Sequence, residues 1–221
     1  GEGTASIYIE GIGWSGSLTV IEQTSGYWVL LQEDSSLCLD NTTLLSSDIL
    51  YTLHSGTNLV SFPSRIDVNI EDALPDYLDN IILAIMGEGI ATSYIEDYGW
   101  VGSLTAFSGG QGYWFVSTEN IEYSYLIRGG LGRFKDMSVL HAYPAGYEFI
   151  QSSAQAFYFI ENIQLNEETI SNEDWILAFH NNMVVGARKW NGAFTDIPVM
   201  GYDGQPYSYN YINSGQMPQF K

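Results

Sequence analysis

The residues of this chain that could do nucleophilic or acid–base chemistry are few and scattered. They are three histidines (His54, His141 and His180) and a single cysteine, Cys38. No histidine stands in a metal-ligand spacing such as H-x-x-x-H, and a Cys–His dyad would need a proximity in space that the sequence does not indicate. We therefore expect no nucleophilic site and no histidine metal centre. A lone cysteine excludes an intrachain disulfide, and Cys38 in SLCLD is typical of a small buried strand residue.

Carboxylates are plentiful, but their arrangement does not predict a hydrolase. A glycosidase needs two carboxyl groups that face each other across a cleft, whereas this chain offers neighbours in sequence. These pairs are Glu71-Asp72, Glu167-Glu168 and Glu173-Asp174. Since nothing assembles a nucleophile, a base and an orienting group, we expect that the protein is not an enzyme and assign no catalytic residues.

Calcium is the one cofactor that the acidic residues leave open. Asp196 and Asp203, with carbonyl groups of the GYDG turn at 201–204, could contribute to an oxygen shell. No EF-hand or other spaced loop pattern supports this reading. The sequence therefore leaves the metal ligands unknown.

The segment GIGWSG at residues 11–16 fits the G-x-G-x-x-G pattern of dinucleotide sites. Such a site requires the glycines between a strand and a helix, and the following SLTV does not begin a helix. We interpret these glycines as turn residues and predict no cofactor-binding residues.

The aromatic residues suggest either a buried core or a platform for sugars, because exposed rings stack on sugar faces. The six tryptophans are Trp14, Trp28, Trp100, Trp114, Trp175 and Trp190. Four of them recur at matching places in two similar segments, which fits a shared core as readily as a shared ligand. A core or interface role is the favoured interpretation, and carbohydrate binding is the alternative.

Those two segments are an internal repeat. Residues 1–28 align without a gap on residues 87–114, at an offset of 86, with 16 identities in 28 positions. The match includes GSLT and GYW in both copies, although Asp97 replaces Gly11. A unit of this length predicts a small folded module, so both copies should adopt the same structure. Residues 48–86 precede the second copy without a counterpart before the first, so we expect the chain to begin inside a module.

The charge balance excludes whole classes of partner. Seven basic residues stand against 26 acidic ones, a formal net charge of −19, which would repel nucleic acid and anionic membranes. The longest apolar runs, such as IILAIM at 81–86, are far shorter than the roughly 20 residues of a membrane helix. We expect a solvated acidic surface and neither nucleic-acid binding nor membrane insertion.

The pattern along the chain predicts a mainly β fold. We divide it into a partial module (1–47), a complete β-rich α+β module (48–128), a connector (129–146) that carries Arg133 and Lys135, and an antiparallel β-sandwich (147–221). We expect this last domain, called the β-domain below, to be truncated. In the complete module, strands are predicted at residues 49–53, 58–63, 81–86, 91–95, 113–117 and 121–127. One short helical segment at 70–78 should be broken by Pro75.

Two turns are predicted inside the β-domain. Asn181-Asn182 separates two apolar runs, and Asn191-Gly192 is a strong type I′ hairpin signal. Residues 174–190 should therefore contain strands and no helix.

The chain also resembles known sequences. YTLHSGTNLVSFP (51–63), DALPD (72–76), IMGEGIATSY (85–94) and WVGSLTAFSGGQGYWF (100–115) resemble modules that recur in large secreted or cell-surface proteins of marine bacteria. Residues 155–204, with DWILAFHNN and VVGARKW, resemble a β-domain that often accompanies these modules and continues past the equivalent of the final FK. The resemblance implies an extracellular location.

Together these observations predict a non-enzymatic extracellular structural or adhesive module of a bacterial surface protein, part of a filament or larger array. Its partners would be other copies of itself or the rest of a longer chain. The alternative is a carbohydrate-binding module appended to a secreted enzyme, with surface glycans as ligands.

Overall fold

A computed structural model describes residues 1–36, 46, 48–127, 143–166 and 168–221. Cys38, His141, Glu167 and most of the predicted connector, with Arg133 and Lys135, lie outside the described residues. The described fold is mainly β and its strand pairs are antiparallel, so the predicted fold class is confirmed.

The strands are numbered in chain order. They are β1 (Ser6–Ile9), β2 (Gly13–Gly16), β3 (Tyr51–Leu53), β4 (Gly56–Ser61), β5 (Val68–Asn69), β6 (Ile82–Met86), β7 (Ala91–Ile95), β8 (Gly99–Gly102), β9 (Ala106–Phe107), β10 (Gly112–Ser117), β11 (Ile121–Tyr123), β12 (Gln155–Ile160), β13 (Gln164–Leu165), β14 (Glu168–Thr169), β15 (Trp175–His180), β16 (Met183–Lys189), β17 (Thr195–Met200) and β18 (Gln219–Phe220).

The chain forms two compact units, each made of two segments. Unit 1 consists of Gly1–Ile85 and Ala106–Phe134, and unit 2 of Met86–Thr105 and Lys135–Lys221. The β7–β8 hairpin, which belongs to the second repeat copy in sequence, therefore groups with the β-domain.

Unit 1 is organised around an aromatic core. Strands β4, β10 and β6 are neighbours in that order, β3 pairs with β11, and β5 pairs with β9. Along β10 the buried residues alternate with half-buried ones, as expected of a strand with one face on a core. Phe107 lies at the centre, with its ring centroid 4.9 to 5.8 Å from those of Phe62, Tyr113, Phe115 and Tyr125.

The predicted broken helix is confirmed. Helix α1 (Ile70–Ala73) ends at Leu74, which has extended backbone, and Pro75 follows. A residue before proline is biased away from helical backbone, so the chain can only resume as a separate 3₁₀ turn, Asp76–Leu78. Ile70, Ala73 and Leu78 are buried, so this segment packs on the core of unit 1.

The first repeat copy lies along an edge of β4 in unit 1. Ser25 forms a β-bridge with Val60. The Gly26 N–H donates to the Leu59 carbonyl at 2.9 Å, and the Ser61 N–H donates to the Thr24 carbonyl at 3.0 Å. β10 pairs along the other edge of β4, so both edges of this strand are engaged.

Unit 2 contains two small antiparallel ladders, β12–β17 and β16–β15–β18. Ile176, Val185, Ile197 and Val199 belong to one buried cluster that both ladders share. Asn181-Asn182 forms the tip of the β15–β16 hairpin, where His180 pairs with Met183, as predicted.

The Asn191-Gly192 turn differs from its prediction. It links β16 to β17, but these strands belong to different ladders, because β17 pairs with β12. A type I′ hairpin needs positive φ at both central residues. Here Gly192 (φ 96°) and Phe194 (φ 61°) have it, and Asn191 does not. The turn therefore carries the chain from one ladder to the other.

Candidate functional site

The two repeat copies fold into the same hairpin. Tyr8 pairs with Trp14 in β1–β2, and Tyr94 pairs with Trp100 in β7–β8. The ring centroids of these pairs are 5.7 and 5.6 Å apart, with interplanar angles of 70° and 66°. The prediction that both copies adopt one structure is confirmed for this hairpin.

Each hairpin ends at a glycine that its backbone requires, which explains why both repeat copies have glycine there. Gly16 and Gly102 have φ of 148° and 129°, values that L side chains rarely adopt. A Cβ atom at either position would overlap the carbonyl oxygen of Ala5 or Ala91, respectively. The backbone therefore requires glycine at both places.

Within unit 2, the β7–β8 hairpin docks on the β-domain through a buried carboxylate. The Ser103 N–H donates to Asp196 Oδ1 at 2.6 Å, and the Ser103 hydroxyl donates to Asp196 Oδ2 at 2.8 Å. Asp196 lies on β17 and its side chain is 1% exposed. Two hydrogen bonds to one carboxylate fix the orientation of the hairpin on the β-domain as well as its distance from β17.

Arg188 on β16 completes this contact from the other side. Its guanidinium lies 3.1 Å from Asp196 Oδ2 and its Nε donates to the Asp196 backbone carbonyl at 2.9 Å. Nη2 also donates to the Gly89 carbonyl of the hairpin. The Arg188 side chain is only 9% exposed, so its charge depends on these acceptors. One buried ion pair thus serves both the sandwich core and the hairpin.

Three further contacts flank the ion pair. The Gln155 side chain accepts a hydrogen bond from the Gly89 N–H at 3.4 Å and donates one to the Gly87 carbonyl at 3.1 Å. The ring centroids of Tyr98 and Phe194 are 4.9 Å apart. Gly102 also lies against the β-domain, since a Cβ atom at this position would be 3.0 Å from Cε1 of Phe159. We call the groups that the β-domain contacts on or beside this hairpin the docking face; they are Gly87, Gly89, Tyr98, Gly102 and Ser103.

The first hairpin carries the same docking face but leaves it exposed. At the offset of 86 its counterparts are Gly1, Gly3, Ile12, Gly16 and Ser17, identical except for Ile12 in place of Tyr98. Gly3, Gly16 and Ser17 are exposed, whereas Gly89 is buried and Gly102 and Ser103 are half-buried. Tyr98 and Ile12 are both exposed, at 64% and 77%. The glycine and serine part of the docking face is therefore covered in one copy and open in the other.

The sequence prediction missed this site. Arg188 and Asp196 lie eight residues apart on strands of different ladders, and only the sandwich topology brings them together. One signal was present: the chain has just 7 Lys and Arg residues, and Arg188 falls inside an otherwise apolar and small run, VVGAR. A charged residue in such a run is seldom buried without a partner.

A second candidate site is a polar depression of about 440 Å³ in unit 2. It lies beside the tip of the β15–β16 hairpin, and its lining includes His180 but no aspartate, glutamate, lysine or arginine. They include four asparagines and two tyrosines: Asn181, Asn182, Asn210, Asn213, Tyr209 and Tyr211. Tyr209 is 74% exposed. A lining without carboxylates is unusual on a chain with 26 acidic residues, and it offers amide donors and acceptors beside an aromatic face.

The described histidines do not form a catalytic group. One ring nitrogen of His54 forms a hydrogen bond with the Ser55 carbonyl, and the other forms one with the Glu2 carboxylate. The Ser55 hydroxyl donates instead to the Thr118 carbonyl. Hydrogen bonds to the Ser55 carbonyl and to Glu2 raise the pKa of His54. His180 contacts the Asn210 carbonyl at 3.2 Å.

The carboxylates considered for calcium are occupied by hydrogen-bond donors. Asp196 receives Ser103 and Arg188, as described above. Asp203 accepts from the hydroxyls of Ser208 at 2.6 Å and Tyr207 at 2.8 Å, and from the N–H of Ser153 at 3.1 Å. Burial acts to raise the pKa of Asp203, but these donors outweigh it and hold that pKa well below its usual range. Both side chains therefore stabilise turns and strands. Among the described residues, no cluster of three or more His, Cys, Asp and Glu could hold a metal ion.

The tryptophans differ in exposure. Trp14 on the first hairpin is 73% exposed, and the other five are partly buried. Trp190 packs against the sandwich core. Only Trp14 therefore presents most of its ring surface.

In the part of the chain that the structure describes, no helix has the length and apolar character to cross a membrane. A scan against protein-family models and searches of curated proteins and of solved structures found no match to this chain.

Proposed function

We propose that the protein is a non-enzymatic structural or adhesive component of a bacterial cell surface, in which repeated hairpins dock domains on one another. The observation that carries this proposal is the repeated docking face. One copy is seated on a domain through a buried ion pair, and the other exposes the same groups. An element built twice to make domain contacts favours assembly over catalysis.

The surface around the first hairpin supports an interaction role. Ile7, Ile12, Trp14 and Ile21 are each at least 66% exposed. Clusters of exposed apolar side chains on soluble domains mark interaction sites. The high negative charge keeps such a chain soluble in spite of this apolar surface.

The location can be tested on intact cells of the source bacterium. An antibody raised against the full chain should label cells that have not been permeabilised, whereas an antibody against a cytoplasmic protein should not. Labelling that requires permeabilisation would contradict a cell-surface role.

A second candidate function, carbohydrate binding, is favoured by the asparagine-lined depression. Its volume of about 440 Å³ falls within the range of small-molecule sites. Asparagine amides can pair with sugar hydroxyls, and the exposed Tyr209 ring can stack on a sugar face. The ligand would be a neutral saccharide, since the lining carries no lysine or arginine to hold an acidic one.

Binding to an array of surface glycans tests this second candidate. Tyr209→Ala should abolish binding, and Tyr77→Ala, at a tyrosine that is 55% exposed in unit 1, should leave it unchanged. Loss of binding with Trp100→Ala or Trp190→Ala but not with Tyr209→Ala would place the sugar on the tryptophans instead. Absence of binding to every neutral glycan would refute the candidate.

A further inference from the structure

We infer that the β1–β2 hairpin of one chain docks on the β-domain of a second copy, in the seat that β7–β8 holds within each chain. This inference rests on the proposed function, and it names the partner and the contact. Exchange of an identical element between copies is a known route to assemblies that grow from chain to chain.

The backbone of the first hairpin already has the required shape. Its strand register and its glycine conformations match those of β7–β8 residue by residue. The hydrogen bond that closes each hairpin also matches: the N–H of Leu18 donates to Ala5 at 3.1 Å, and that of Leu104 donates to Ala91 at 2.9 Å. No rearrangement of the hairpin is needed before it docks.

The polar groups of the first docking face complement the buried ion pair. Ser17 presents the N–H and hydroxyl that Ser103 gives to Asp196, and Gly3 presents the carbonyl that Gly89 gives to Arg188. Because Asp196 and Arg188 are almost completely buried, a hairpin in this seat must satisfy both of them. The exposed first hairpin offers this combination of donors and acceptor.

The one substitution in the docking face keeps its apolar character. Ile12 occupies the place of Tyr98, whose ring contacts Phe194 in unit 2. An isoleucine there still covers the Phe194 ring but lacks the edge-to-face ring contact. We therefore expect β1–β2 to bind somewhat more weakly than β7–β8.

Competition with the chain's own hairpin decides when exchange occurs. A tethered element acts at an effective concentration of about 1 mM, so exchange in the wild-type chain is weak below that concentration. Tyr98→Asp weakens the intrachain contact because it removes the ring pair with Phe194. A loss of about tenfold would bring exchange into the range of about 0.1 mM.

Three full-length variants test the inference by static light scattering between about 20 µM and 1 mM. They are Tyr98→Asp alone, Tyr98→Asp with Ile12→Asp, and Tyr98→Asp with Val29→Asp. Ile12 and Val29 are both aliphatic, 77% and 66% exposed, but only Ile12 belongs to the docking face. The mass of the first and third variants should rise reversibly at least about twofold above 24.6 kDa. The second should stay near 24.6 kDa.

Two results would overturn the inference: a monomeric Tyr98→Asp chain over the whole range, or equal association with Ile12→Asp present. Association that does not reverse on dilution reports misfolding and also counts against it. These outcomes are separate from cell-surface labelling, so a failed exchange would leave the proposed location standing, and a failed labelling would leave the exchange contact standing.

Discussion

Replacing Arg188 by methionine probes the ion pair that joins the sandwich to its hairpin. The variant keeps much of the side-chain volume but removes the positive charge. Among the described residues, it leaves Asp196, 1% exposed, with the two donors of Ser103. The Gly89 carbonyl also loses its donor.

Breaking a buried pair from one side costs about 3–5 kcal/mol of unfolding free energy. Because a domain's whole stability is about 5–15 kcal/mol, unit 2 of the Arg188→Met chain should unfold at much lower urea concentration. The neighbouring Lys189 supplies the control. Its ion pair with Glu173 has a similar distance of 2.9 Å but side chains that are 46% and 80% exposed. Lys189→Met should therefore cost less than about 1 kcal/mol.

Adding Asp196→Asn to Arg188→Met should recover part of the loss, because the amide is neutral and can still bond to Ser103. The double-mutant cycle should give a coupling energy of about 1–3 kcal/mol. Urea unfolding followed by tryptophan fluorescence, with hydrogen exchange to separate the two units, measures each value. Equal effects of Arg188→Met and Lys189→Met, or a coupling energy near zero, would refute the reasoning.

Three further predictions follow from individual side chains. The hydroxyl of Tyr125 is buried with no hydrogen-bond partner of good geometry among the described residues, so Tyr125→Phe should raise the unfolding free energy by about 1 kcal/mol. Tyr113→Phe loses a 2.7 Å hydrogen bond from a backbone N–H and should lower the unfolding free energy by about as much. The reverse order of stability in urea unfolding would contradict this. The pKa of Asp203 is lowered in the folded state, so its stabilising contribution is present above its unfolded pKa of about 4 and is lost as the pH falls further. The loss of unfolding free energy in Asp203→Asn should therefore shrink between pH 7 and pH 2, and a constant loss would contradict this. The pKa of His54 is raised, so its contribution to stability is present below about pH 6.5 and is lost as the pH rises through the folded pKa. NMR titration should show a lower pKa for His54 in Glu2→Gln, and an unchanged pKa would exclude the ion pair.

Local elements of the fold could be predicted from the sequence. The broken helix at Pro75 follows from the geometry of proline, and β7 was predicted with its observed bounds because glycine-rich turns flank it. Tyr123 and Tyr125 are both buried, as their spacing of two predicts, although β11 ends at Tyr123. In these places the controlling interactions lie within a few residues.

Long-range pairing could not be predicted in the same way. The Asn191-Gly192 turn carries a hairpin signal, yet β17 pairs with β12, about 40 residues away. The grouping of β7–β8 with the β-domain also depends on contacts such as Ser103 with Asp196, 93 residues apart. A repeated sequence predicts a repeated shape, but it does not indicate which copy is covered.

Chemical cross-linking between two distinguishable chains tests most directly the claim that the repeated hairpin is a docking element. In a Cys38→Ser background, one chain carries Ile12→Cys and the other carries Phe194→Cys with Tyr98→Asp, and a short bismaleimide joins cysteines that come close together. The account predicts a heterodimer of the two chains, and none when the first chain carries Val29→Cys instead of Ile12→Cys. Equal yields with Ile12→Cys and Val29→Cys, or no heterodimer at about 1 mM protein, would contradict it.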